Sequence, residues 1–189
     1  MKSKLPIKRV KLDRETIVDS AIARAEAHGL DELSARKLGL DLGCEAMSLY
    51  HHVGSMEGLK DLIVDRLLGS IAPAKASGPG DSLSEESRAY LDLAEEHARI
   101  FVLVATRRWK GERAVATAMR SIGYFNALGF EAAEAMARAR ALGAYLNGAG
   151  LALTAWAADT DEPPLSDGKQ VKADLLNGLD LLLTSLTKL

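Results

Sequence analysis

Residues 32–59, ELSARKLGLDLGCEAMSLYHHVGSMEGL, decide the fold. Ser34 stands where a helix N-cap would, with Leu33 and Leu38 around it as a hydrophobic staple. The pattern predicts a helix from Ser34 and a shorter one at about 45–51, with Gly43 marking a tight turn between them. Leu38, Leu42 and Leu49 then face inward together. Two short helices joined through a glycine turn make a helix-turn-helix. The second helix of such a unit can enter the major groove of DNA while the first braces against the backbone. Apolar spacing alone fits any helical hairpin, so DNA binding needs further support.

The same periodicity extends outward. Asp13 is a good N-cap, Leu12 and Ile17 form its staple, and Ile17, Val18, Ala21, Ile22 and Ala25 recur at helical spacing. His28-Gly29 closes that first helix. Ser55 caps a fourth, lined by Leu59, Leu62, Ile63 and Leu67. PAKASGPGDSL, 73–83, reads as a break between domains. Beyond it, helices are expected at about 84–104, 111–128, 131–158 and 168–186, with DTDEPPLSDG, 159–168, as a surface loop. No segment alternates with β-branched residues, so the fold class is all-α. The expected organisation is a basic arm over 1–12, a three-helix DNA-binding domain over 13–54, a connecting helix over 55–72 and a second helical domain over 73–189.

Composition bounds the function. Hydrophobic residues at 48% and charged residues at 26% describe an ordinary globular chain. Cys44 is the single cysteine, which excludes an intramolecular disulfide and suits a cytoplasmic setting. MKSKLPIKRVKL lacks the apolar core of a secretory signal. The uncharged run between Arg140 and Asp159 carries Asn147, Thr154 and three glycines (143, 148 and 150), so it reads as a buried helix and not as a membrane span. Residues 1–14 hold six positive charges and one negative, a net of +5, whereas 15–72 hold five positive and ten negative, a net of −5. The arm suits a polyanion; the segment behind it does not.

LSARKLGLDLG, SLYHHV and GSMEGL, together with LDRETIVDSAIARAEAHGL at 12–30, resemble the DNA-binding domain of the TetR family over about residues 10–70. The YHHV portion is most similar to the tetracycline-repressor branch. The C-terminal half fits by layout, and ATRRWKGERAVATAM, 105–119, faintly resembles that branch's ligand domain. The resemblance implies an N-terminal helix-turn-helix for operator double-stranded DNA and a C-terminal ligand-binding and dimerisation domain.

It also implies residue roles. Arg36 matches a position that reaches a base edge, where its fork suits guanine O6 and N7; the alternative is a surface arginine paired with an acid. Tyr50 matches a tyrosine that touches phosphate or a thymine methyl, or else belongs to the small core. His52 matches a phosphate-contacting histidine, with His51 beside it. Adjacent histidines diverge by about 100° on a helix and have no third ligand at motif spacing, so no metal is expected. Met56 departs from the family's usual lysine, and Lys60, one turn on, is placed to compensate. Glu45, Ala46, Met47 and Ser48 open the recognition helix without a side chain that reads bases bidentately. Glu45 either accepts from cytosine N4 or favours the helix N-terminus; Ala46 and Met47 can pack on thymine methyls. This donor-poor surface gives extra weight to Lys8, Arg9 and Lys11 of the arm.

The second half holds no catalytic constellation, so no enzyme activity and no cofactor are expected. Ala144, Gly148 and Ala152 on one long helix, and Val171, Leu175, Leu179, Leu182, Leu183 and Leu186 on the last, offer faces for a homodimer's four-helix bundle. Phe101, Trp109, Tyr124, Phe125, Phe130, Tyr145 and Trp156 cluster in this half. His97, Phe101, Trp109, Tyr124, Tyr145 and Asn147 are the candidates to line a cavity for a mainly apolar small-molecule effector, against ordinary core packing. The leading expectation is a ligand-responsive repressor that releases a palindromic operator. The alternative is a small-molecule-binding or interaction module on the same scaffold without sequence-specific DNA binding.

Overall fold

A computed structural model describes residues 12–157 and 168–188, with the side chains of Trp156 and Ala157 outside that description. Lys8, Arg9 and Lys11 of the expected arm lie outside the described residues, as does most of the 159–168 loop. No strand occurs among the described residues. The chain divides into two compact units, Met1–Ile63 and Val64–Leu189.

In the first unit, α1 (Arg14–His28) begins at Asp13, whose carboxylate accepts from Thr16 N at 3.0 Å, and ends at Gly29. A 3-10 turn (Leu30–Glu32) leads to α2 (Ala35–Leu42), where Ser34 accepts from Lys37 N at 3.4 Å. Then come α3 (Ala46–Val53) and the first turns of α4 (Met56–Gly69). Ile17, Ala21, Leu38, Leu49, Leu59 and Ile63 are sealed from solvent, so α1, α2, α3 and the first turns of α4 close on one small core.

The second unit takes in the last turns of α4, then α5 (Pro79–Glu96), α6 (Phe101–Thr106), α7 (Glu112–Ala127), α8 (Ala132–Ala157) and α9 (Gly168–Leu186). α8 is its axis: α5, α6, α7 and α9 all pack against it. The uncharged run therefore lies mainly in α8, where Leu142, Leu146, Ala149 and Leu153 are buried. No described helix is long and apolar enough to cross a membrane.

Two expectations about elements change. The helix expected over 84–104 is two helices, broken at His97, whose backbone leaves the helical region (φ −115°, ψ 39°). Its carbonyl accepts from both Ile100 N and Phe101 N, which turns the chain and restarts it as α6. Phe101 is thereby driven into the core against Gly150, where any Cβ would collide with its ring. The other change is at the start of α5, which lies at Pro79, inside the stretch expected to be a break; proline is well suited to a first helical turn.

The end of α4 and the turn that follows it are fastened to α7 by hydrogen bonds. Gly111 has no side chain to cap α7, and Asp65 supplies the missing acceptor to Ala114 N at 2.9 Å. In return, Thr117 donates to the Leu68 carbonyl at 3.2 Å and Arg120 to the Ile71 carbonyl at 2.9 Å.

Candidate functional site

The turn between α2 and α3 is set by two glycines. Gly43 takes the left-handed conformation (φ 66°, ψ 33°) that glycine adopts without steric cost. Gly39 permits close approach: a Cβ there would stand 2.6 Å from the Cys44 carbonyl oxygen. Cys44 N donates back to the Gly39 carbonyl at 2.9 Å, so the two helices are joined backbone to backbone. Burial pushes the Cys44 thiol up, away from thiolate chemistry.

This geometry sorts the residues expected to meet DNA. Arg36 is exposed in the first turn of α2 and has no ion-pair or hydrogen-bond partner among the described residues. Its basic neighbours are engaged: Arg24 grips Asp41 through two bonds of 2.6 and 2.8 Å, and Lys37 bonds Glu32. Those bonds hold the Asp41 and Glu32 carboxyls below their usual range. Glu45 is the exposed N-cap of α3 without a side-chain cap bond. Met47 is 65% exposed. Ala46, Ser48, Tyr50 and His52 are half-buried and His51 is exposed; the His52 carbonyl accepts from Arg14 at 3.2 Å. Lys60 lies on α4 with its ammonium bonded to Glu57 at 2.7 Å.

The second unit contains a cavity of about 310 Å³, at the small end of ligand pockets. Its apolar wall includes Ile71, Leu83, Ile122, Met136, Leu142 and Leu146, and its polar groups include Glu86, Ser87, Tyr90, Ser121, Arg140 and Asn147. Of the residues expected there, Trp109, Tyr124 and Asn147 line it. The other three stand elsewhere. Phe101 is fully buried core, Tyr145 donates to the Leu175 carbonyl at 2.6 Å and ties α8 to α9, and His97 ends α5.

Tyr90 is the residue that sequence reasoning passed over. Its hydroxyl donates to Asn147 Oδ1 at 2.5 Å, and its ring meets Phe101 edge-on at 5.5 Å and lies 6.2 Å from Trp109. Burial raises its phenol well above the ordinary range, so it remains a donor. Glu86 was missed as well. Its side chain is only 10% exposed and accepts from Arg120 at 3.1 Å, Tyr124 at 2.7 Å and Ala74 N at 3.1 Å. The signal was available: Leu83, Glu86, Ser87 and Tyr90 share one stripe of α5, and a glutamate on an inward face requires a partner.

No family model matches the chain. An HTH-type transcriptional regulator of Saccharopolyspora erythraea is 30% identical over 151 residues, covering 77% of this chain and 62% of the relative. The tetracycline repressor protein class D of Escherichia coli is 36% identical over 58 residues, 31% of this chain and 27% of the relative. A solved structure of a TetR variant from Acinetobacter baumannii AYE, in complex with minocycline, superposes with a TM-score of 0.79 at 24% identity, covering 93% of this chain and 96% of that one. This is a TetR-like chain. Its all-α fold, with a helix-turn-helix ahead of a larger helical unit, is the TetR-family fold. The TetR-like chain spans less than two thirds of the length of these curated relatives.

Proposed function

We propose that this protein is a ligand-responsive, DNA-binding transcriptional repressor that works as a homodimer and releases a palindromic operator when a small molecule fills its cavity. One observation carries the reading. Thr117, in the cavity wall, and Arg120, bonded to the wall residue Glu86, hold the carbonyls of Leu68, at the end of α4, and of Ile71 just beyond it; α4 is the helix that follows the helix-turn-helix in the chain. A ligand that shifts α7 by a fraction of an ångström changes those bonds. It thereby biases α4 between two positions, which is the differential interaction that a population shift requires.

Arg36, Glu45, Ala46, Met47, Ser48, Tyr50, His51 and His52 form the proposed reading surface, with Lys60 and the arm residues Lys8, Arg9 and Lys11 as phosphate contacts. Trp109, Tyr124 and Asn147 are the proposed effector contacts. The homodimer is proposed through α8 and α9, where Ala141, Ala144 and Gly148 are exposed on one helix and Leu181 is 75% exposed on the other. Naming of the relatives as regulators, and of minocycline as the ligand of one solved neighbour, supports the class of activity. The engagement of Lys60 by Glu57, next to Met56, favours the second reading, a ligand-binding module without sequence-specific DNA binding.

The test is to select genomic fragments that the purified protein retains, then titrate each candidate effector with and without the selected operator. Linkage requires the effector and the operator to weaken each other by the same factor. Retention of random fragments only, with a steep salt dependence, would favour the second reading.

A further inference from the structure

We infer that the cavity takes an aromatic organic anion, with its carboxylate toward Arg140 and a neutral oxygen acceptor toward Asn147. This rests on reading the cavity as the effector site. Several polar groups in the wall are already spent. Both Glu86 oxygens are taken by Arg120, and one of them also by Tyr124 and Ala74 N. The Tyr90 hydroxyl is spent on Asn147 Oδ1 and the Trp109 indole N–H on the Val104 carbonyl at 3.0 Å. Thr117 is spent on the Leu68 and Arg113 carbonyls.

What remains is donor-rich. The Arg140 guanidinium has no partner among the described residues, and the Asn147 amide keeps its N–H donors because its oxygen is the atom that Tyr90 occupies. Ser87 and Ser121 have no hydrogen-bond partner among the described residues, and hydroxyls adapt to either role. The Glu86 carboxylate is committed to Arg120, Tyr124 and Ala74 N, which disfavours an amine there. The charge balance agrees: Arg120 offsets Glu86, so Arg140, an exposed residue at the solvent-facing side of the wall, gives the wall a net positive charge.

The shape is equally specific. Arg140, Gly143 and Asn147 follow one another along a single face of α8, so the two donors stand roughly 10 Å apart along the axis. Between them Gly143 leaves the backbone bare, and a Cβ there would meet nothing within 4 Å. That open strip accepts the face of a flat ring, with Tyr90 and Trp109 also in the wall as aromatic neighbours. A rigid bicyclic acid with an oxygen at its far end spans the strip.

The experiment is calorimetric titration of the full chain with three probes of one shape: 6-hydroxy-2-naphthoic acid, its primary amide, and 6-(aminomethyl)-2-naphthol. The acid should bind about tenfold or more tightly than the amide, with the amine weakest. Arg140→Gln should bring acid and amide to parity while leaving amide affinity in place, and Arg140→Lys should restore part of the acid's advantage. Retained amide binding establishes that the variants fold. The inference is overturned if acid and amide bind alike in the unaltered chain, if the amine leads, if the acid's advantage survives Arg140→Gln, or if the acid does not bind at millimolar concentration. Operator binding is measured separately. Acid binding without operator release sinks the repressor reading alone, and release by the amine sinks this inference alone.

Discussion

Asp65 and Ala114 belong to different helices, yet the carboxylate of the first accepts from the backbone amide of the second at 2.9 Å, completing an N-terminus that Gly111 leaves uncapped. The bond places the start of α7 under the control of α4. Replacing Asp65 with alanine removes the cap and should cost about 1 kcal/mol of stability, read as a lower urea midpoint with unchanged slope. In an effector titration the same variant should show weaker coupling to operator at nearly unchanged effector affinity. An unaltered coupling factor would mean that α4 takes its position from elsewhere.

Glu86 and Arg120 form a largely enclosed ion pair in the second unit, with side chains 10% and 25% exposed. Glu86→Ala strands Arg120, Tyr124 and Ala74 N together. The expected loss approaches about 3 kcal/mol, short of the roughly 3–5 of a fully buried pair because Arg120 retains some water. Glu86→Gln keeps an acceptor for Tyr124 and should lose less. Equilibrium denaturation of both variants checks the order.

Alkaline pH should loosen the second unit. Burial raises the phenols of Tyr90, Tyr124 and Tyr145, and the bond to Glu86 raises Tyr124 further. Each folded value lies above the unfolded value near 10. The stabilisation is therefore complete below about pH 10 and is lost as pH rises through the folded values. Absorbance titration should show these phenols ionising late in the native protein and at ordinary pH once urea has unfolded it. Early ionisation in the native state contradicts the burial argument.

Gly148 lies exposed on α8 with open space around its missing Cβ. Gly148→Arg should therefore leave the protomer folded and still remove the close approach that a partner's helix needs. Sedimentation should report a dimer for the unaltered chain and a monomer for the variant, with the same helical content. A dimer that tolerates the arginine moves the interface off this face.

Arg36→Ala should weaken binding to a selected operator by about 1–3 kcal/mol and relax preference at one base position. Deleting residues 2–11 should lower affinity for every sequence and flatten the salt dependence, because lysines and arginines there neutralise phosphates. Equal losses on cognate and random DNA after Arg36→Ala would reduce that residue to a general electrostatic contact. Anisotropy titrations at two salt concentrations separate the cases.

The helix-turn-helix was legible because each boundary carries a local signal: Asp13 and Ser34 cap, Gly29 and Gly43 turn, and the buried leucines keep helical period. The break at His97 was not, since HARI contains neither glycine nor proline and the core into which the turn sends Phe101 is built from residues distant in sequence, Gly150 among them. Trp109 and Tyr124 could be picked out as scarce aromatics, while Tyr145 could not be distinguished from them by composition. Its hydroxyl is claimed by the Leu175 carbonyl, a long-range fact. Arg140 had no signal at all, because a charged residue at the start of an apolar run reads as its end and not as a cavity wall.

The contact between Gly39 and the Cys44 carbonyl frees α3 for change. Since that joint is made of backbone on both sides, no side chain of Glu45, Met47 or His51 takes part in it. Exposed positions of α3 can therefore be exchanged while the angle to α2 stays fixed. Position 39 pays for this latitude by tolerating nothing but hydrogen. A library built on the scaffold should randomise the outward residues of α3 and leave Gly39 untouched; under the proposed function, new operator preferences then evolve without the hairpin having to be folded anew.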